Sequence, residues 1–143
     1  MERKPIYRLV KEDKESIVHR LRIAMEFHQE ISFAYLHGSF GESAFRDIDV
    51  AVYLRETPSV SVLQYELMLE SELMKTLGKY SVDIRVLNGA PLSFRFQVVR
   101  QGVLLFARDE DERAEFQERT LLDYFDFLPY RNDYLKETLG LGT

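Results

Sequence analysis

The stretch HGSFGESAFRDIDVAVYL, His37 to Leu54, places a Gly-Ser pair, a short loop and two carboxylates at the head of an otherwise apolar run. A β-strand sends residues i and i+2 to one face. Asp47 and Asp49 are therefore neighbours on one face with Ala51 and Tyr53, while Ile48, Val50, Val52 and Leu54 line the other. A third carboxylate, Asp83, lies in a run with the same alternation, where Val82, Ile84 and Val86 form the apolar set and Asp83, Arg85 and Leu87 stand opposite. If these two strands are adjacent in one sheet, the three carboxylates converge. Such a cluster repels itself unless it is protonated or cation-bound, and oxygen-only ligands suit Mg²⁺ or Mn²⁺ rather than zinc. Magnesium takes substrate phosphates as remaining ligands, so this chemistry points to a metal-bound nucleoside triphosphate. Gly38 and Ser39 fit that reading: glycine lets the backbone approach a phosphate, and a short helix starting at Ser39 would offer free amides and a hydroxyl to its oxygens. Asp83 has a plainer reading as the ion-pair partner of Arg85, and Ser39 alone would read as a helix cap.

A mixed α and β arrangement must position these groups. DKESIVHRLRIAMEFHQE spaces Ile17, Val18, Leu21, Ala24, Met25 and His28 as a helical stripe, with Asp13 as the expected N-cap. ISFAYLHG and DIDVAVYL read as the first two strands. A second helix follows Pro58, with Val62, Tyr65, Leu69, Leu73 and Leu77 at helical spacing up to Gly78. YSVDIRVLNG is the third strand, Pro91 opens a helix through LSFRFQVVRQG, and VLLF adds a short fourth strand. The aromatic segment from Asp109 is predicted to be a helix that breaks near Pro129 and resumes to about Leu139. The expected fold class is α+β: a small mixed sheet of three to four strands flanked by about four helices.

At 143 residues, 45% hydrophobic and 30% charged, the chain suits one domain, residues 1–143, with its chemistry in 37–88 and a helical segment over about 109–139. The net charge of -5 argues against a nucleic-acid-binding surface, and no direct contact with nucleic acid is expected. With no cysteine there is no disulfide, thiolate nucleophile or cysteine-zinc site. No apolar run approaches the roughly 20 residues of a membrane span. A cytoplasmic protein without a membrane partner is the expectation. His37, at a strand end, is expected to pack, and His19 and His28 are assigned no chemistry. The tail carrying Phe116, Leu121, Leu122, Tyr124, Phe125, Phe127, Leu128, Tyr130 and Tyr134 is expected to cover the open side of the sheet, and part of the stripe would suit a helical partner or a second copy of the chain.

GSF, a short loop, RDIDVAVYL and the third Asp in VDIRVL together resemble the minimal nucleotidyltransferases of the DNA polymerase beta-like superfamily, specifically the antitoxin type paired with HEPN-domain toxins. The motifs span roughly residues 31 to 88. The resemblance implies that Gly38 and Ser39 hold the triphosphate, that Asp47 and Asp49 bind metal, and that Asp83 is a third ligand or the base that deprotonates the incoming hydroxyl. The loop FGESAFR is shorter than in many relatives, which leaves Arg46 as the nearby basic side chain for a phosphate contact. The implied reaction is in-line attack by a hydroxyl on the α-phosphate of ATP, assisted by two Mg²⁺ ions (or Mn²⁺), with loss of pyrophosphate. The implied acceptor is a tyrosine of the partner HEPN toxin, which adenylylation inactivates. Neutralisation by binding alone, or transfer to a small molecule, are the alternatives, and a homo- or hetero-oligomer is compatible with either.

Overall fold

A computed structural model describes residues 4–41 and 44–140, so Glu42 and Ser43 of the FGESAFR loop lie outside the described residues. The chain runs α1 (Lys11–Glu26), β1 (Ile31–His37), a 3₁₀ turn (Gly38–Gly41), β2 (Asp47–Leu54), α2 (Val62–Leu77), β3 (Ser81–Val86), α3 (Leu92–Gln101), β4 (Val103–Ala107) and α4 (Glu110–Leu139). The sheet order is β3-β2-β1-β4. β1 pairs antiparallel with β2 and with β4, whereas β2 and β3 are parallel and joined by the α2 crossover. The class is therefore α+β with a mixed sheet, as expected.

The alternation in β2 and β3 is realised as two cores. Ile48, Val50, Val52, Val82, Ile84 and Val86 pack against Ile17, Leu21 and Met25 of α1 and Leu69, Leu73 and Leu77 of α2. On the opposite face Phe33, Tyr35, Ala51 and Leu87 meet Val98 of α3 and Phe116 of α4. Phe33 lies flat on Tyr53 with centroids 4.8 Å apart, and Phe96 stacks on Tyr124 at 3.6 Å to join α3 to α4. Farther along this second face Asp47 and Asp83 keep side-chain exposures of 31% and 40%, so they stay open to solvent.

Local contacts finish the elements. β3 is an edge strand, and its outward N–H groups are taken up by α2: Ile84 N donates to Glu70 Oε1 at 2.9 Å and Val86 N to Glu66 Oε2 at 2.8 Å. This carboxylate pair, one helical turn apart, blunts an edge that would otherwise be open to pairing. Asn88 bonds both the N–H and the carbonyl of Leu54, at 2.8 and 2.9 Å, and closes the sheet where the third strand ends. Ser61 caps α2 and Asp109 caps α4 through side-chain oxygens.

Three expectations need correction. Helix α1 begins at Lys11 with Val10 at the cap, so Asp13 is not the N-cap; it sits inside the first turn, where its charge still favours the free N–H groups. The same helix stops at Glu26, so His28 belongs to the following turn, where it bridges Glu30 (3.1 Å) and Glu72 (2.8 Å). Helix α4 is not interrupted at Pro129. Proline removes one N–H there, but this stretch is exposed and water can satisfy the freed carbonyl. The aromatic tail divides as its faces do: Phe116 and Tyr124 pack inward, whereas Phe125, Tyr130 and Tyr134 remain 58%, 75% and 63% exposed.

Leu73 is fully buried and Met68, five residues earlier on another face of the same helix, is 60% exposed. Leu73→Ala is expected to lower the unfolding free energy by about 3 kcal/mol. Met68→Ala should change it by less than about 0.5 kcal/mol, both read from urea denaturation.

Candidate active site

The site forms where β1 gives way to the 3₁₀ turn. Gly38 has φ +74°, a conformation that side-chain-bearing residues rarely adopt, and a Cβ there would lie 2.2 Å from Asp49 Oδ2. Glycine is required on both counts: it turns the chain, and it leaves room for the Asp49 carboxylate against the turn. Ser39 follows, half-buried, and Phe40 anchors the turn by packing edge-on to Phe45 at 4.8 Å. In the parallel β2–β3 ladder Asp49 is the register partner of Asp83, and Asp47 that of Ser81. Across the antiparallel ladder Asp49 faces His37. One sheet face thus carries Asp47, Asp49 and Asp83 together, beside Gly38 and Ser39. Arg46 is exposed ahead of Asp47 and makes no hydrogen bond or ion pair among the described residues.

The electrostatics reflect this crowding. Burial first, then the negative charges of Asp83 and Asp47, push the Asp49 carboxyl up to about 6. Three neighbours respond to the same charge. Lys4 Nζ sits 2.7 Å from Asp47 Oδ1, Arg85 Nε lies 3.6 Å from Asp83 Oδ2, and Glu70 is raised by burial and by Asp83. The ion pair of Asp83 with Arg85 and its place in the cluster are both present. His37 is held below the ordinary imidazole range by burial, packs edge-on to Phe94 at 5.5 Å and has an unpartnered, buried Nε2. The packing reading of His37 holds.

These residues fit a divalent cation in three respects: the donors are all carboxylate oxygens, the glycine turn leaves a carboxylate room that a Cβ would fill, and a cation, the Lys4 ammonium, already rests on one of them. Among the described residues no three carboxylate or imidazole groups close into a ready-made cage. Two carboxylates completed by water and phosphate is the usual magnesium arrangement, in contrast to an all-protein cage. Two participants escaped the sequence. Lys4 lies in a segment with no periodic pattern, and its approach depends on a long-range contact. Glu70 reaches β3 only through the packing of α2 on that strand, a contact 14 residues apart in the chain.

The folded-state pKa of Asp49 is raised from 3.8 to about 6, so its ionisation opposes folding, and the associated stability is lost as pH climbs through about 6. Asp49→Asn removes that cost. In thermal melts with chelator the variant should gain Tm relative to the parent at pH 8 and gain clearly less at pH 5, whereas an equal shift at both values would contradict the raised pKa.

With the geometry in hand, the relatives are informative. The family described as polymerase beta, nucleotidyltransferase, matches residues 20–111. The fold is shared with the solved toxin-antitoxin MntA-HepT (23% identity, TM-score 0.64, covering 91% of this chain and 99% of that one). It is shared equally with the structure described as a tri-AMPylated Shewanella oneidensis HEPN toxin in complex with MNT antitoxin (24% identity, TM-score 0.64, 90% and 98% covered). A toxin-antitoxin with AMP-PNP gives 24% identity, a TM-score of 0.63 and coverage of 91% and 99%. A search of curated proteins gives no significant match. Since the family match takes in β1, the glycine turn, both carboxylate strands and the helix between them, the chain belongs to the polymerase beta nucleotidyltransferase family.

Proposed function

We propose that this chain is the antitoxin of a HEPN/MNT toxin-antitoxin pair and acts as a metal-dependent protein adenylyltransferase, moving AMP from ATP to a tyrosine of its partner HEPN toxin in the cytoplasm. The observation that carries the reading is the gathering of Asp47, Asp49 and Asp83 on one sheet face against the Gly38 turn. The AMPylated toxin and the AMP-PNP complex among the structural neighbours support the choice of nucleotide and acceptor. A protein that neutralised its partner by contact alone would have no chemical use for a carboxylate held up to about 6 by burial and by its acidic neighbours.

Asp47 and Asp49 are the residues that would hold Mg²⁺, with Asp83 completing the set. When bound, the ions would neutralise triphosphate charge and stabilise the attacking and leaving oxygens. The chain's own groups do the rest. Backbone amides at Gly38 and Ser39, with the Ser39 hydroxyl, bind phosphate oxygens, and Arg46, exposed next to Asp47 in sequence, is the nearby basic side chain for a phosphate contact. Asp83 faces the incoming tyrosine and takes its proton as the phenolic oxygen bonds to the α-phosphorus. The bond from that phosphorus to pyrophosphate breaks, and pyrophosphate leaves. Positioning and charge neutralisation account for most of the acceleration in this type of transfer.

Incubation with Mg²⁺, labelled ATP and the toxin encoded beside it, followed by mass spectrometry, tests the proposal. Label is expected on a toxin tyrosine. The double variant Asp47→Asn with Asp49→Asn should lower transfer by about a thousandfold or more while still binding the toxin, because the ligands it loses are worth several kcal/mol of charge stabilisation. Gly38→Ala should impair transfer too, since the new methyl collides with Asp49. Tight binding by the parent protein with no transfer would favour neutralisation by contact instead.

A further inference from the structure

The N-terminal segment is tied across the rim of the carboxylate site. Tyr7 and Phe45 form an isolated antiparallel bridge, with Tyr7 N donating to Phe45 O at 2.8 Å and Phe45 N to Tyr7 O at 3.1 Å. The Tyr7 ring packs on Phe45 and Tyr80, with centroids at 5.7 and 4.8 Å, and its hydroxyl donates to the Lys79 carbonyl at 3.3 Å. The bridge sits two residues before Asp47, so the chain three residues ahead of Tyr7 arrives at that carboxylate. There Lys4 Nζ donates to Asp47 Oδ1 at 2.7 Å. The ammonium is also near enough to feel Asp49 and Asp83, and the bond to Asp47 holds its pKa above the ordinary lysine range.

We propose that residues Lys4 to Tyr7 form a tethered latch in which the Lys4 ammonium competes with the divalent cation for Asp47, so that metal enters only as Lys4 lets go. This rests on reading the three carboxylates as the metal site. A lysine and a metal ion cannot share one side of the same oxygen. Tethering through the Tyr7 bridge keeps the ammonium at high local concentration beside the carboxylates. The pair nevertheless has a Lys4 side chain that is 57% exposed, and exposed pairs of this kind are weak. The latch therefore sets the metal concentration at which the site fills and does not block it. It also lessens the mutual repulsion of the carboxylates for as long as the ammonium is seated.

Titration of the full chain with Mn²⁺, without nucleotide, and with free ion read by electron paramagnetic resonance, tests the latch without reference to activity. Lys4→Gln is expected to bind Mn²⁺ about twofold to fivefold more tightly than the parent. Lys4→Arg, which keeps the charge, should resemble the parent. Tyr7→Ala, which loosens the tether while leaving Lys4 in place, should shift in the same direction as Lys4→Gln. Lys79 stacks over Tyr7 and Tyr80 at 5.7 and 5.4 Å, and no hydrogen bond or ion pair joins its ammonium to the three carboxylates, so Lys79→Gln removes the same charge nearby and should matter clearly less. Unchanged or weaker binding by Lys4→Gln overturns the latch while leaving the metal site standing, and so does an equal gain in Lys79→Gln, which would mean a diffuse field effect. Failure of both the parent and Lys4→Gln to bind Mn²⁺ would remove the metal site itself, and the latch with it.

Discussion

Repulsion among three carboxylates on one sheet face is the constraint around which this structure is arranged. Strand β2 delivers Asp47 and Asp49, and the parallel pairing of β3 sets Asp83 level with Asp49. Nothing in the packing requires acidic residues there, because the hydrophobic side of both strands is already satisfied by α1 and α2. The cost is visible in Asp49, whose carboxyl is driven up to about 6 by burial and by its two acidic neighbours. Surrounding groups offset part of it: Lys4 on Asp47 and Arg85 on Asp83, both on exposed side chains that can withdraw. A site balanced by removable cations is suited to exchange them for others.

The scaffold explains how such a cluster is tolerated. The two apolar cores hold the sheet from both sides, and the second one, built on Phe33, Tyr53 and Phe116, stops short of the carboxylates. Glu66 and Glu70 of α2 fasten the outer edge of β3 through its N–H groups, fixing the strand that carries Asp83. Gly38 is the counterpart on the other flank, where absence of a side chain is what lets Asp49 lie against the turn. Fixed strands, an open end and a glycine cradle together hold an unfavourable charge arrangement in place at the solvent-facing end of the sheet.

Much of this was legible in the chain because a period of two is a strong local signal. The strand DIDVAVYL was bounded correctly, and the division of its side chains between two faces followed from alternation alone. The stripe of Leu69, Leu73 and Leu77 likewise announced the buried side of α2. What was illegible depends on contacts between distant residues. The adjacency of β2 and β3 was a condition in the sequence and became a fact only through the crossover. Lys4 reaches Asp47 through a bridge that no local pattern encodes. Asp13 failed as a cap because helix α1 begins two residues earlier than it, and Pro129 failed as a breaker because exposed helix tolerates one missing hydrogen bond.

The most direct test of the central claim is a crystal structure of the chain with Mn²⁺ and a non-hydrolysable ATP analogue, with the metal located by its anomalous scattering. The account predicts manganese on the Asp47 and Asp49 carboxylates, with the triphosphate against the backbone of Gly38 and Ser39. Metal and nucleotide bound elsewhere, with the three aspartates still paired only to Lys4 and Arg85, would contradict it.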